Sequence, residues 1–237
     1  MTDTKYALIP AYKPDQRLIA IAQLLKAHDF HVIIIDDGSG KEYTGIFSNA
    51  SPYADILRQE TNRGKGMALK TGLKALLKEA REPYIVVTLD ADGQHSIEDT
   101  IRVAKKAFEH KDALILGTRG FDTQTPIKSR LGNDITRGVF SLVTGTKIQD
   151  TQTGLRAFSD KHVKLMTEIE GSRYEYEINV LLEYAKQSKN ILEIPIKTIY
   201  LDDNKSSHFH AVRDSFLIYM KIFKHIHTKT ERRGTRC

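Results

Sequence analysis

Short apolar runs alternate with helical segments through the first half of the chain, and this alternation limits the possible folds more than any other feature. The apolar runs are continuous, which is typical of strands that are buried on both faces of a parallel sheet. The segments between them have the apolar spacing of amphipathic helices. We therefore predict a mostly parallel, Rossmann-like α/β sheet flanked by helices. The predicted strands are 6–9, 32–35, 55–59, 84–89 and 113–117, and the predicted helices are 15–28, 64–80 and 96–110.

The pattern after residue 120 is less regular. We predict a helix over 126–144, a loop with a short strand over 150–158, a helix over 174–187 and a strand over 191–201. A long amphipathic helix is predicted over about 209–227. The expected organisation is one domain over residues 1–208, followed by a C-terminal amphipathic helix and basic tail over 209–237.

Polar side chains follow the strongest predicted strands at the points where the strands end. The sequences are PAY (10–12), DDGS (36–39) and DADGQH (90–95). In parallel α/β sheets, ligands bind beyond the carboxyl ends of the strands. We therefore expect Pro10, Ala11, Tyr12, Asp37 and the two aspartates of DADGQH to lie at one site.

The DADGQH motif places two carboxylates two residues apart. Side chains at positions i and i+2 of an extended segment point the same way, so Asp90 and Asp92 can face one ligand. Helix capping is the simpler explanation, but Ser96 already suits the N-cap of the next helix. Hard oxygen ligands suit Mg²⁺ or Mn²⁺, which bind through one or two carboxylates together with substrate phosphates. The motif therefore favours a metal site, to which Gln94 can add an oxygen.

Two further motifs favour a nucleotide ligand. In DDGS, an aspartate can accept hydrogen bonds from a base or from ribose hydroxyls, although a plain turn fits equally well. The NRGKG segment (62–66) is glycine-rich and basic and precedes a helix, whose free N–H groups attract anions. It matches neither the Walker A pattern nor the dinucleotide-binding pattern, so a P-loop NTPase or a nicotinamide-dependent dehydrogenase is disfavoured.

Charge and cysteine content restrict the setting in which the protein acts. The net charge of +6 favours an anionic partner such as a nucleotide, a lipid phosphate or a membrane surface. The only cysteine, Cys237, has no internal partner, which fits a reducing cytoplasm. Neither a secretory signal nor an apolar run of about 18 residues is recognisable.

The four motifs PAY, DDGS, NRGKG and DADGQH, in this order, resemble the family 2 inverting glycosyltransferases of GT-A fold. The similarity is greatest to polyprenyl-phosphate sugar synthases of the dolichol-phosphate mannose synthase type. It continues through GTR (117–119), SRLGN (129–133), DTQTGLRAF (150–158) and SSHF (206–209), and so spans nearly the whole chain.

This resemblance implies a role for each matching position. Pro10, Ala11, Tyr12 and Asp37 would line the nucleoside pocket, and Ala91 would lie beside it. Asp90 and Asp92 would hold Mg²⁺ or Mn²⁺ with the help of Gln94, and Lys65 would assist the donor diphosphate. Arg119 and Arg130 would hold the acceptor phosphate, since a guanidinium binds phosphate oxygens bidentately. The implied activity is transfer of a sugar from a UDP- or GDP-sugar to a polyprenyl phosphate, for cell-surface glycan assembly.

Two points of the mechanism stay open at this stage. A hydroxyl acceptor would need a general base, for which Asp150 and Glu177 are the candidates, whereas a lipid phosphate is already ionised near neutral pH. The sequence also departs from the synthases before SSHF, where Lys205 is a candidate for the diphosphate and His208 for the metal or a phosphate. A surface histidine is an equally good interpretation of His208.

Membrane contact and the competing functions also stay open. The 209–227 helix could lie in the membrane interface through its basic end, pack on the core, or meet a membrane-embedded partner protein. We expect a cytoplasmic protein that associates peripherally with the inner face of the cell membrane, and a homo-oligomer is compatible with the sequence. The alternatives are a family 2 transferase that acts on a saccharide or protein hydroxyl, and a non-enzymatic anion-binding module. No recognised nucleic-acid motif is present, which disfavours a nucleic-acid partner.

Overall fold

The described residues contain seven strands and seven α-helices, which alternate through most of their length. The computed structural model describes residues 4–119 and 127–197, with side chains described for all of these except 127–135. The strands are β1 (Thr4–Ala11), β2 (Phe30–Asp36), β3 (Asp55–Arg58), β4 (Tyr84–Thr88), β5 (Ala113–Arg119), β6 (Arg156–Ser159) and β7 (Asn190–Ile196). The helices are α1 (Arg17–Ala27), α2 (Thr44–Ala50), α3 (Lys65–Glu79), α4 (Ile97–Glu109), α5 (Ile127–Thr144), α6 (Asp160–Glu168) and α7 (Glu175–Lys186).

The strands form one sheet in the order β3-β2-β1-β4-β6-β5-β7. All neighbouring strands run parallel except β6, which is antiparallel to both β4 and β5. The predicted mostly parallel sheet flanked by helices is therefore confirmed. The short strand within 150–158 was predicted, but its antiparallel direction was not, because nothing in the local sequence reveals the direction of a strand.

The core lies on both faces of the sheet because successive strand residues point to opposite sides. Leu8 of β1 packs on one face with residues of α3, α6 and α7, whereas its neighbours Ala7 and Ile9 pack on the other face with α1, α2 and α4. This double burial explains why β1, β2 and β4 are almost wholly apolar. It also leaves the strand ends as the places where polar side chains can gather.

Most predicted elements agree with the structure to within about two residues, and Ser96 caps α4 by accepting a hydrogen bond from the Asp99 N–H at 3.1 Å. Helices α2 and α6 were not predicted as separate elements. The helix predicted over 209–227, and with it the proposed boundary after residue 208, lies outside the described residues. In the described parts of the chain, no helix has the length and apolarity needed to cross a bilayer.

Candidate functional site

The carboxyl ends of β1, β2 and β4 meet at one edge of the sheet. Ala11 lies opposite Asp36 in the register of β1 with β2, and the Asp37 N–H donates to the Ala11 carbonyl at 2.8 Å. Thr88, at the end of β4, lies opposite Leu8 of β1, and the segment that carries Asp90 and Asp92 follows. The structure thus brings the PAY, DDGS and DADGQH motifs to neighbouring strand ends, as the sequence predicts.

Asp37 is buried and holds the NRGKG segment. Its Oδ1 accepts the Arg63 N–H and its Oδ2 accepts the Gly64 N–H, both at 2.8 Å. Burial raises the pKa of this carboxyl, although the two hydrogen bonds oppose the shift. Gly64 has a φ of 96°, and a Cβ there would come within 2.5 Å of Arg173 Cγ. Asp37 therefore places the start of α3, and its predicted contact with a nucleoside stays a prediction.

Of the other predicted nucleoside residues, Ala11 is buried, whereas Pro10 and Tyr12 are partly exposed. The Lys13 ammonium lies 5.5 Å from the centroid of the Tyr12 ring, and the Lys13 N–H donates to Ser39 Oγ at 2.9 Å. The PAY and DDGS segments are thus tied together beside the strand ends. A flat, partly exposed aromatic ring at this position suits a nucleobase or a ribose.

Lys65 connects two carboxylates from distant parts of the chain. Its Nζ lies 2.6 Å from Asp90 Oδ1 and 2.8 Å from Glu177 Oε1. Burial lowers the pKa of the Lys65 ammonium, but the two carboxylates outweigh this effect and raise the pKa overall. Lys65 was predicted to assist the diphosphate, and the structure adds two protein partners that the sequence did not reveal. Glu177, which is buried on α7, is the partner of Lys65 and is not a solvent-exposed base.

Nearby positive charges offset the burial of the Asp92 carboxylate less fully than they offset the burial of the Asp90 carboxylate. Burial and then the charge of Asp90 raise the pKa of Asp92, whereas Lys65 and His95 lower the pKa of Asp90 against the effect of burial. Asp92 Oδ1 accepts the Gln94 N–H at 3.0 Å. His95 Nε2 lies 3.7 Å from Asp90 Oδ2, and His95 Nδ1 is buried with no hydrogen-bond partner among the described residues. The described residues therefore leave a carboxylate and a ring nitrogen of this cluster incompletely satisfied.

The donor set fits a hard divalent ion that is completed by ligand oxygens. Asp90 and Asp92 supply carboxylates, which are the oxygen ligands that Mg²⁺ and Mn²⁺ prefer. Within residues 4–119 and 127–197, no group of three or more His, Cys, Asp or Glu side chains could hold an ion without further ligands. His208, the predicted additional ligand, lies outside the described residues, as does Lys205. Two carboxylates plus phosphate oxygens remain the set that fits.

Arg119 lies at the end of β5 and pairs with Asp150. Arg119 Nε donates to Asp150 Oδ2 at 2.7 Å, and Nη2 donates to Oδ1 at 3.2 Å. Asp150 is completely buried, whereas 28% of the Arg119 side chain is exposed. Asp150 was a candidate general base, and here the structure differs from that interpretation, because both oxygens face a guanidinium and neither reaches solvent. For Arg130, the other predicted phosphate ligand, the structure places the backbone in α5, and its side chain lies outside the described set.

Gly154 is a site residue that the sequence analysis missed. A Cβ at this position would lie 2.2 Å from Asp90 Oδ2, so only glycine allows the Asp90 side chain its observed place. Asp90 and Gly154 are far apart in sequence, and no local pattern connects them. The sequence did not identify Glu177 as the partner of Lys65 for the same reason, because Lys65 begins a helix more than a hundred residues earlier.

Comparison with known proteins agrees with this geometry. Residues 6–166 match the description of Glycosyl transferase family 2. The chain is 30% identical to the UDP-N-acetylglucosamine–dolichyl-phosphate N-acetylglucosaminyltransferase of Methanococcus voltae, over 83% of this chain and 86% of that protein. It is 25% identical to the undecaprenyl-phosphate mannosyltransferase of Micrococcus luteus, over 80% and 81% of the two chains.

A solved structure shares the fold at low sequence identity. Glucosyl-3-phosphoglycerate synthase from Mycobacterium tuberculosis, crystallised with Mn²⁺, UDP and phosphoglyceric acid, superimposes with a TM-score of 0.70. The match covers 94% of this chain and 78% of that one at 14% identity. At this identity the similarity concerns the arrangement of strands and helices, and it agrees with the predicted GT-A fold.

Proposed function

The chain belongs to glycosyl transferase family 2 and is a glycosyltransferase, and we propose that it transfers a sugar from a nucleotide sugar to a polyprenyl phosphate with inversion at the anomeric carbon. The donor is UDP- or GDP-linked. A UDP-linked donor is the first to test, because the Methanococcus voltae relative is named for one. The names of both relatives, one a dolichyl-phosphate and one an undecaprenyl-phosphate transferase, support the lipid phosphate as acceptor.

The observation that carries this proposal is the arrangement of Arg119. Its guanidinium is held along the Nε–Nη2 edge by the buried Asp150, and among the described residues Nη1 has no partner. A guanidinium has five N–H donors in a planar fork, so the remaining edge can bind two phosphate oxygens. Arg119 is thus an oriented, partly exposed anion site. A phosphate acceptor suits this guanidinium better than an uncharged hydroxyl acceptor does.

On the donor side, Asp90 and Asp92 would hold Mg²⁺ or Mn²⁺ together with oxygens of the donor diphosphate. The Mn²⁺ and UDP in the mycobacterial structure support this assignment. When bound there, such an ion would supply positive charge to the leaving diphosphate as a Lewis acid. Lys65 keeps the Asp90 carboxylate oriented, and Asp37 keeps the NRGKG segment at the start of α3 in place. Groups that are already oriented stabilise developing charge most effectively.

In the transfer step, an oxygen of the acceptor phosphate forms the new bond to the anomeric carbon while the bond to the nucleoside diphosphate breaks. No protein group has to remove a proton, because the second pKa of a phosphate monoester is about 6. Asp150 and Glu177 are both occupied by cations, which agrees with a reaction that needs no general base. Arg119 and, by the sequence motif, Arg130 would hold the attacking group.

The acceptor places the reaction at a membrane surface, and we propose peripheral association with the inner face of the cell membrane. The basic segment over 209–237 is the predicted contact, with lipid or with a membrane-embedded partner. Basic residues near an anionic leaflet contribute about 1 kcal/mol each to binding. Removal of this segment should therefore weaken vesicle binding more than it weakens turnover on a short, water-soluble acceptor.

The test is an assay with UDP- and GDP-sugars, Mn²⁺ or Mg²⁺, and a short-chain polyprenyl phosphate. We expect a lipid-linked sugar of inverted configuration. The control acceptor is the polyprenol of the same chain length, which lacks only the phosphate and should give no product. Equal transfer to the polyprenol, transfer only to saccharide hydroxyls, or hydrolysis without transfer would each contradict the proposed acceptor.

A further inference from the structure

Residues 150–154 lie between the two halves of the site and contact both. At one end, the buried Asp150 carboxylate pairs with Arg119. At the other end, Gly154 lies against the Asp90 carboxylate so closely that no Cβ fits between them. Only three residues, 151–153, therefore separate a contact on the acceptor side from a contact on the donor side.

The backbone of this segment is tied to the neighbouring strands. Thr153 Oγ1 donates to the Gly117 carbonyl of β5 at 2.6 Å, and Thr88 Oγ1 of β4 donates to the Gly154 carbonyl at 3.0 Å. The Asp150 carboxylate also accepts the Gln152 N–H at 3.0 Å, which closes a turn within the segment. The segment is thus pinned between the two strands that carry Arg119 and lead to Asp90.

The buried Arg156 holds the backbone of this segment in place. The residue is 4% exposed, and its guanidinium donates to three backbone carbonyls, those of Thr153 (3.0 Å), Thr151 (3.3 Å) and Glu177 (2.8 Å). A buried guanidinium that donates only to carbonyls is costly unless its geometry is well satisfied. Those carbonyls belong to the 150–154 segment and to the residue that pairs with Lys65. The hydrogen bonds of the Arg156 guanidinium therefore hold the backbone of the site in place.

We propose that residues 150–154, locked by the buried guanidinium of Arg156, form one strut that positions Arg119 through Asp150 and Asp90 through Gly154. This inference rests on the proposed function for the meaning of the two sides, and it assigns Asp150, Gly154 and Arg156 as positioning residues. The strut keeps the acceptor guanidinium and the donor carboxylate at a constant separation. An error at either end would misplace one reacting partner relative to the other.

Two substitutions test the two ends of the strut independently. Asp150→Asn removes the charge that orients Arg119 and should raise the KM for the acceptor about tenfold, as loss of a charged hydrogen bond does. It should leave the affinity for UDP or GDP with Mn²⁺ unchanged. The control is Asp112→Asn, an exposed aspartate that pairs with Lys161 just before β5, at the opposite end of that strand from Arg119, and it should change neither quantity.

Gly154→Ala tests the other end. Gly154 does not occupy the left-handed region of φ, so alanine is compatible with the backbone and its Cβ must displace the Asp90 side chain. We expect calorimetry to find Mn²⁺-dependent affinity for UDP or GDP about tenfold weaker, the lower end of the loss seen when groups that orient metal ligands are removed. The KM for the acceptor should stay the same. The control is Gly45→Ala, on an exposed helical glycine with open space around it.

Arg156→Lys should raise the KM for the acceptor and also weaken the Mn²⁺-dependent affinity for UDP or GDP. Because a buried arginine can be needed for folding, the test depends on Asp150→Asn and Gly154→Ala. Crystal structures of Asp150→Asn and Gly154→Ala give a readout that needs no acceptor. Arg119 should move in the first and Asp90 in the second. The strut is overturned if both side chains stay in place, or if each substitution changes donor and acceptor binding equally. Failure of the proposed function would instead appear as a wild-type protein that transfers to no polyprenyl phosphate.

Discussion

Two of the polar clusters in the described part of the molecule differ in how completely the protein satisfies their hydrogen bonds and charges. The pair cluster, His162 of α6 and Tyr184 of α7, is complete. Tyr184 donates to His162 Nδ1 at 2.7 Å, and His162 Nε2 lies 3.1 Å from the Lys111 carbonyl. The site cluster consists of Lys65, Asp90, Asp92, His95 and Glu177. It contains a carboxyl with a raised pKa and a buried ring nitrogen that has no partner among the described residues.

This difference distinguishes groups that stabilise the fold from groups that a bound ligand would satisfy. A buried polar group without compensation lowers the free energy of unfolding, so it persists where a bound partner completes it. The pair cluster should therefore matter for stability and not for turnover. Asp92 should behave in the opposite way, and Lys65, which pairs with both Asp90 and Glu177, should affect both.

The largest effect is expected for Lys65→Met. The substitution removes the cation between two carboxylates and leaves both without their partner. Breaking a buried ion pair costs about 3–5 kcal/mol, and the lower end applies because nearly a third of the Asp90 side chain is exposed. Chemical denaturation should therefore find an unfolding free energy lower by about 3 kcal/mol. Adding Glu177→Gln should recover part of that loss, and a double variant no more stable than Lys65→Met would contradict the bridge.

The second prediction concerns Asp92→Asn. The amide keeps an oxygen for the Gln94 N–H but removes a charge that burial disfavours, so the thermal midpoint should stay the same or rise. Turnover should fall about 100-fold or more, since a metal ion supplies several kcal/mol of charge stabilisation. A transfer assay and a melting curve on the same preparation check both parts. A lower midpoint with normal turnover would place Asp92 with the structural groups.

The third prediction is the reverse case, Tyr184→Phe. Loss of the hydroxyl leaves the buried His162 Nδ1 without its donor, which should lower the free energy of unfolding by about 1–3 kcal/mol. Turnover of the folded enzyme should not change. Tyr43→Phe is the control, because the Tyr43 side chain is partly exposed and its hydroxyl has no hydrogen bond among the described residues. A loss of turnover in Tyr184→Phe without a loss of stability would contradict the claim that the pair cluster serves the fold and not the reaction.

The smallest effect is a pH dependence of stability through His162. Burial lowers the pKa of this imidazole, and the Lys111 carbonyl, an acceptor, requires the proton on Nε2 of the neutral ring. The unfolded chain binds a proton below a pH of about 6.5, whereas the folded chain resists it, so stability falls as the pH drops from there toward the lowered pKa. The other charged groups that act on this imidazole are Lys189, Asp112 and Lys161.

The expected slope from His162 is at most about 1.4 kcal/mol per pH unit. Melting curves between about pH 7.5 and 5.5 should therefore show a smaller loss of stability for His162→Gln than for the wild type. An identical slope in the two proteins would mean that His162 does not remain neutral in the fold.

The same contrast explains what the sequence could predict. The motifs that follow β1, β2 and β4 are local, and the strand-end rule brings Asp37, Asp90 and Asp92 to one edge without knowledge of any contact. The cap of α4 by Ser96 is also local. The fold class and the gathering of these residues at one edge of the sheet were therefore accessible from the sequence.

The rest depends on contacts between distant segments. Nothing near Lys65 reveals that Glu177 will meet it, and nothing near Asp90 reveals that Gly154 must lie against it. The direction of β6 follows from its place between β4 and β5, which brings the 150–154 segment back toward the site. Asp150 stayed open as a candidate base because its partner Arg119 lies on another strand, where the sequence does not reveal the pairing.

The central claim is that the incomplete site cluster holds a divalent ion between its carboxylates and a nucleotide. The most direct measurement is an anomalous difference map from crystals grown with Mn²⁺ and UDP, and in parallel with GDP. We predict a Mn²⁺ peak within bonding distance of an Asp92 carboxylate oxygen, with nucleotide density beside the ends of β1 and β2. A bound nucleotide without Mn²⁺ at Asp92, or Mn²⁺ held elsewhere in the protein, would contradict the claim.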